Sequence, residues 1–131
     1  METSLSSSQV ANAAEISLRQ IQWWDEKGVV RVRKQGHARR FSRLDAMLFA
    51  IAGHLRRRNV SLQRLRSTMP TIRRLLLQQP GYTGTYLVFT SKPAIVRQAQ
   101  LIQTLSTTNV AGLVLDLHKI AEIVDSVSEN A

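Results

Sequence analysis

The chain has 131 residues, enough for one ordinary domain or for a small domain with an appendage that needs a partner to bury its apolar face, and too few for two large independent cores. Hydrophobic residues make up 44% and charged residues 21%, with no cysteine, so wholesale disorder, a disulfide framework, a thiolate metal site and a cysteine nucleophile are all excluded. The formal net charge of +9 is uneven: Met1 to Gln78 carries 15 Lys and Arg against 5 Asp and Glu, and Gln79 to Ala131 carries 3 against 4, a confined excess that is the electrostatic footprint of a polyanion partner.

The opening stretch, METSLSSSQVANAAE, is Ser-rich and has no basic segment followed by an apolar one. No apolar run approaches the roughly 18 to 20 residues that span a bilayer. A cytoplasmic, nucleoid-associated location is therefore expected. Ser6 with Gln9 and Ser17 with Gln20 both fit the capping box, in which serine and glutamine satisfy backbone donors reciprocally at a helix start. Two starts eleven residues apart leave room for one short helix and a tight turn, which is helix-turn-helix spacing.

Val10, Ala13 and Ala14 give helix one a small apolar face, and Leu18, Ile21 and Trp24 give helix two a larger one. At about 100° per residue, Arg19, Trp23 and Glu26 fall opposite that stripe, with Gln20 and Gln22 at its edges. Trp24 is thus expected in the core and Trp23 outside. Gly28 closes helix two. Val30 and Val32 then alternate with Arg31 and Arg33 at the period of a strand, a turn forms around Gly36, and the chain returns through Arg39, Arg40 and Phe41 as a cationic β-wing.

Ser42 with Asp45 marks the next helix start, and Leu44, Leu48, Ile51 and Leu55 recur at amphipathic spacing up to the RRRN run. Ser61 opens a fourth helix with Leu62, Leu65 and Met69 inward, which Pro70 is expected to end by opening a further short helix to about Gln78. Residues 79–84 read as a turn-rich linker. Beyond it, TYLVFT reads as a buried strand, PAIVRQAQLIQTL as a helix, AGLVLDL as a second strand and HKIAEIVDSV as a last helix. Two strands joined through a helix predict a parallel pair. A unit of this size rarely sustains its own core, so it is expected to pack on the first domain or to pair with its copy.

The stretch from Ser6 to Arg66 resembles the winged helix-turn-helix domain of MerR-family transcriptional regulators. The resemblance lies in Val10-Ala11, Ser17-Leu18-Arg19, the aromatic pair with Asp25 in Trp23-Trp24-Asp25, Gly28, Arg39-Arg40-Phe41-Ser42 and Asn59-Val60-Ser61-Leu62. It implies a mainly α fold with a β-wing, here followed by a small βαβα unit. The expected division is 1–78 for the DNA-binding domain, 79–84 for the linker and 85–131 for a dimerising unit.

As what the resemblance implies, Arg19 reaches base edges in the major groove, and Trp23 presses on sugar-phosphate. Arg39 and Arg40 hold the backbone from the wing, with Arg58 and Ser61 doing so on the other side. The full candidate set is Arg19, Gln20, Gln22, Trp23, Arg31, Arg33, Lys34, His37, Arg39, Arg40, Arg58 and Ser61. The implied partners are double-stranded DNA, a second copy of the chain through residues 85–131, and RNA polymerase at a promoter, with no membrane.

The chain departs from the family pattern at Gln22, at the two tryptophans, at Glu15 in the place of a turn glycine, and in having no long C-terminal helix.

Neither His37, His54 nor His118 belongs to a ligand set with metal spacing, and the carboxylates Asp25 and Glu26 point apart on a helix, so no metal, cofactor or catalytic residue is expected. Two other functions fit the same features. One is an excisionase-like factor that bends DNA for recombination, and the other an antitoxin-like module that binds a protein through the tail.

Overall fold

The computed structural model describes residues 4–32, 34–35, 38–106 and 112–129. Helices α1 (Ser7–Ala14), α2 (Leu18–Glu26), α3 (Arg43–Arg57) and α4 (Leu62–Leu77) build the first part. Short strands accompany them: β1 (Ser4–Leu5), β2 (Lys34–Gln35), β3 (Ala38–Arg39) and β4 (Phe41–Ser42). The tail follows as β5 (Thr85–Phe89), β6 (Ala94–Arg97), α5 (Gln98–Ser106), β7 (Leu113–Asp116) and α6 (Leu117–Glu129).

All three expected capping boxes form. Ser6 Oγ accepts from the Gln9 N–H at 3.2 Å while the Ser6 N–H donates to Gln9 Oε1 at 2.8 Å. Ser17 with Gln20 and Ser42 with Asp45 repeat the exchange at 2.9 to 3.0 Å. Ser61 caps α4 by accepting from the Arg64 N–H at 3.1 Å. Each helix start is thereby fixed by residues three apart, which is why sequence spacing alone placed them.

The helix ends turn on left-handed residues. Gly28 (φ 75°) closes α2 as expected, Asn59 (φ 69°) closes α3, and Glu15 (φ 56°) reverses the chain between α1 and α2 where a glycine would be unstrained. Arg57 stabilises that reversal, its Nη1 donating to the carbonyls of Ala14 at 3.1 Å and Glu15 at 3.3 Å.

Helix α3 is the axis of the molecule. Residues Ala46 through Gly53 are buried on every side of it, whereas the sequence suggested one apolar face. The reason is its neighbours: α1, α4 and α6 all pack against it. Phe49 lies at the centre, parallel to Trp24 at 6.5 Å and edge-on to Phe41 at 5.6 Å between centroids.

Three expectations change. Helix α4 runs unbroken through Pro70, because Leu65 and Met69 before it and Ile72 and Leu76 after it are buried together. That shared face offsets the one backbone hydrogen bond a proline forfeits. Pro70 itself is exposed. In the wing, strand pairing begins at Lys34 rather than Val30, since Val29 and Val30 are buried against the core as the chain leaves α2. Phe41 and Ser42 pair not with the wing but with Leu5 and Ser4, giving an antiparallel β1–β4 bridge.

The tail is also rearranged. The helix expected over residues 93–105 is divided, Ala94–Arg97 forming β6 and only Gln98–Ser106 forming α5. Strand β6 turns straight back on β5, with Leu87 opposite Ile95, and β7 pairs with the other edge of β5, Leu87 opposite Leu115. Both pairings are antiparallel in the order β6-β5-β7, so the expected parallel pair of strands is replaced and the tail reads ββαβα. Helix α6 carries Leu117, Ile120, Ala121 and Val124 into the same core as α1 and α3. Arg43 at the start of α3 clamps Asp125 of α6 through two bonds of 2.8 and 3.0 Å and lies 5.4 Å over the Tyr82 ring.

Candidate nucleic-acid interface

Helix α2 separates its two faces as a reading helix must. Ile21 and Trp24 are buried, Trp24 to 2% exposure, and anchor it on Phe49. Trp23 is 43% exposed, and Arg19, Gln20 and Gln22 are exposed beside it. Ser17, Arg19, Gln20 and Trp23 line one shallow concavity of about 320 Å³. The two tryptophans thus divide as their positions on the helix require.

The polar residues of this helix are not equally available. Gln20 spends its carbonyl oxygen on the Ser17 cap, leaving its amide nitrogen to offer. Gln22 donates to Glu26 Oε1 at 3.1 Å. Leu18, assigned to the apolar face by spacing, is instead 54% exposed next to Arg19. As the first residue of α2 it lies beyond the surface that Ile21 and Trp24 cover, and it adds an apolar group to the exposed face.

The wing is braced at its root. The Val32 N–H donates to Asp25 Oδ1 at 3.0 Å, tying the chain after α2 back to that helix. Arg73 of α4 donates to the Arg31 carbonyl at 3.0 Å and reaches Asp45 at 3.3 Å. Strands β2 and β3 pair antiparallel, Lys34 opposite Arg39 and Gln35 opposite Ala38. Lys34 and Arg39 thus take their places on the hairpin backbone, while Arg33, Gly36 and His37 lie outside the described residues. The Arg31 guanidinium folds over Gly28, close enough that a Cβ there would stand 3.0 Å from Nη2. Arg40 donates to Ser4 Oγ at 2.9 Å and to the Ser4 carbonyl at 3.2 Å. It therefore holds β1 as well as facing solvent.

On the far side of α2, Arg57 ties the end of α3 to the turn before Ser17. Arg58 and Ser61, both exposed, follow Arg57 in the chain. Burial together with Arg57 and Arg58 pushes the His54 pKa below its ordinary value, against a smaller opposing pull from Glu15. Elsewhere, the hydrogen bond that Arg43 donates to Asp125 raises the Arg43 pKa, and burial raises that of Tyr82.

Past Ser61 a cleft of about 560 Å³ opens between the α3–α4 loop and the tail sheet. Sequence reasoning missed its second arginine, Arg64, whose guanidinium stacks 4.6 Å over Phe89 and donates to the Thr90 carbonyl at 3.0 Å. Its spacing from Ser61 marks it only as a helix residue, and nothing local signals the tail strand beneath it.

Among the described residues no group of three or more His, Asp or Glu is placed to hold a metal ion. His118 pairs with Glu122 at 2.9 Å. No described helix is long and apolar enough to cross a membrane. The family model described as MerR HTH family regulatory protein matches residues 5–77, more than half of the chain. No curated protein matches the chain.

Proposed function

The chain belongs to the MerR family of helix-turn-helix regulatory proteins, and from that premise we propose that it is a sequence-specific double-stranded DNA-binding transcription regulator that acts as a homodimer. Helix α2 enters the major groove, Arg19 reads a base edge, and Trp23 lies against sugar-phosphate. The wing, through Arg33, Lys34, His37, Arg39 and Arg40, grips the backbone on one side, and Arg58 and Ser61 grip it on the other.

The observation that carries this reading is the division of α2 into a face locked by Ile21 and Trp24 and a face presenting Arg19, Gln20 and Trp23. Base readout needs a rigid helix with long polar groups left over from the fold, and on this face they are the exposed Arg19 and the amide nitrogen of Gln20. Fluorescence-anisotropy titrations against selected and random duplexes test it. Arg19→Ala lowers affinity for the selected site by the loss of about 1 to 3 kcal/mol of discrimination and leaves random-sequence binding nearly unchanged. Unaltered discrimination in Arg19→Ala refutes the docking.

The homodimer reading rests on the tail. Helix α5 buries no residue, and Ile102 (80% exposed) and Leu105 remain open on it, as Val114 does on β7. Helix α4 ends at Leu77 without a long extension, so the outer side of α5 is the apolar surface that a second copy would cover. Sedimentation of Ile102→Asp tests the assignment: a shift to monomer is expected, and an unchanged dimer refutes it.

A further inference from the structure

We infer that the tail is itself part of the DNA interface: the cleft between the α3–α4 loop and the β5–β6 turn receives a backbone phosphate that the tail's Ser91 holds together with Arg58, Ser61 and Arg64 of the helix-turn-helix unit. The inference rests on the DNA reading above and extends it to residues outside the family match, which ends at residue 77.

The cleft is lined by Arg58, Asn59, Ser61 and Arg64 on one wall and by Thr90 and Ser91 on the other, with apolar residues and a glycine between and no acidic residue among them. Two guanidinium groups and the hydroxyls of Ser61 and Ser91 therefore line one concave space of about 560 Å³ with no carboxylate among the lining residues. The N-terminal turn of α4, a helix of 16 residues, opens at Ser61 on its rim and adds its positive dipole end to the charge of both arginines. An oxyanion is the chemistry that answers such a lining.

Position selects which oxyanion. A recognition helix meets base edges with its N-terminal residues, so whatever adjoins that end of α2 adjoins one strand of the duplex. Arg57 fixes the end of α3 to the Ala14 and Glu15 carbonyls just before the Ser17 cap. Arg58 and Ser61 are the next exposed residues along that edge, and Arg64 joins them directly to the Thr90 carbonyl of the tail. A continuous line thus runs from the start of α2 to Ser91, and the wing leaves from the opposite end of the same helix through Asp25 and Val32. The two basic elements flank α2 as the two phosphate strands flank a major groove.

The cleft is also held open rather than formed by chance side-chain positions. Arg64 is pinned by stacking on Phe89. Gly112 at the head of β7 permits the close approach of the strand ends, since a Cβ there would stand 2.8 Å from Thr90 Cγ2 and 3.2 Å from the Phe89 carbonyl. The Thr90 hydroxyl donates to the Lys92 carbonyl and accepts from the Lys92 N–H, shaping the turn that carries Ser91.

The test is Ser91→Glu, a change on an exposed turn that puts a carboxylate on the cleft wall, compared with Ser126→Glu, which puts the same charge on the exposed face of α6. Thermal unfolding confirms that both fold. Affinity for selected and random duplexes is then measured from low to high salt. Ser91→Glu is expected to weaken both by tenfold or more at low salt and to reduce the slope of log K against log salt by about 0.9, the value of one phosphate contact. Ser126→Glu changes affinity less than about threefold.

Equal behaviour of the two variants overturns the inference. So does saturable binding of sodium pyrophosphate, abolished by Ser91→Glu, alongside an unaltered DNA slope, because the cleft would then belong to a small free anion. In either case Arg19→Ala, which acts on discrimination and not on the slope, shows whether the DNA reading still stands.

Discussion

Gly53 sits in the interior of α3, where replacing glycine by alanine ordinarily stabilises a helix by about 1 kcal/mol. Here the opposite sign follows from packing. A Cβ on residue 53 would stand 2.8 Å from the Ala14 carbonyl oxygen, 3.3 Å from Arg57 Nη1 and 3.5 Å from Ile16 Cγ2. The nearest of these is a backbone atom, so no rotamer relieves the contact and α1 must move off α3 by several tenths of an ångström.

Overpacking of this kind costs about 1 to 3 kcal/mol. The same displacement strains the 3.1 Å hydrogen bond from Arg57 to Ala14, itself worth about 1 kcal/mol at a partly exposed site. Set against the propensity gain, the net for Gly53→Ala is a destabilisation of about 1 to 3 kcal/mol. In thermal unfolding this is a fall of about 3 to 12 °C for a domain of this size. Because the moved carbonyl precedes the Ser17 cap, selective DNA binding falls as well at temperatures where the protein is folded. An increase in stability of about 1 kcal/mol, the bare propensity gain, would mean that α1 and α3 do not approach this closely.

Glu15→Gly relieves a left-handed residue (φ 56°) whose cost is about 1 to 2 kcal/mol. Glycine's greater unfolded-state entropy and the loss of an exposed 3.7 Å ion pair with Arg57 return part of this, so urea unfolding should show a gain of up to about 1 kcal/mol. The His54 pKa is lowered in the fold by burial and by Arg57 and Arg58, so the unfolded chain takes up the proton first. Its contribution to stability is therefore complete above about pH 6.5 and is lost as pH falls through the lowered value; His54→Gln, followed by unfolding across that window, should flatten the decline. Neighbouring arginines should part in their DNA signatures: Arg58→Ala lowers the salt slope by about 0.9, whereas Arg57→Ala keeps the slope and loses discrimination, because it positions the turn and faces no phosphate.

What the sequence disclosed was whatever is encoded within one or two helical turns. The caps at Ser6, Ser17, Ser42 and Ser61 are pairs three residues apart, and the division of Trp23 from Trp24 is a matter of 100° on one helix. Longer-range features left no such trace. The β1–β4 bridge joins Leu5 to Phe41 across the whole of the helix-turn-helix unit, and nothing in either dipeptide names the other. Pro70 reads as a break because a proline's local cost is visible and the burial of Leu65, Met69, Ile72 and Leu76 against α3 is not. In the tail, Ile95 and Val96 are β-branched and follow a proline, a signal that could have divided the expected helix into β6 and α5. The antiparallel order depends on that missed strand, since without β6 a single helix joins β5 to β7.

The same contrast governs the charge. Counting 15 cations in the first 78 residues points to a polyanion but not to a face, because arginines serve two ends in this fold. Arg43 grips Asp125, Arg57 satisfies the carbonyls of Ala14 and Glu15, and Arg73 bridges the Arg31 carbonyl and Asp45. All three join elements that no local hydrogen bond connects: the tail to α3, the helix-turn-helix turn to α3, and the wing root to α4. Their guanidinium forks fasten the scaffold, whereas Arg19 and Arg58 remain exposed on either side of the same turn. An interface read by rigid geometry needs both groups, since the exposed cations discriminate only as precisely as the engaged ones hold them.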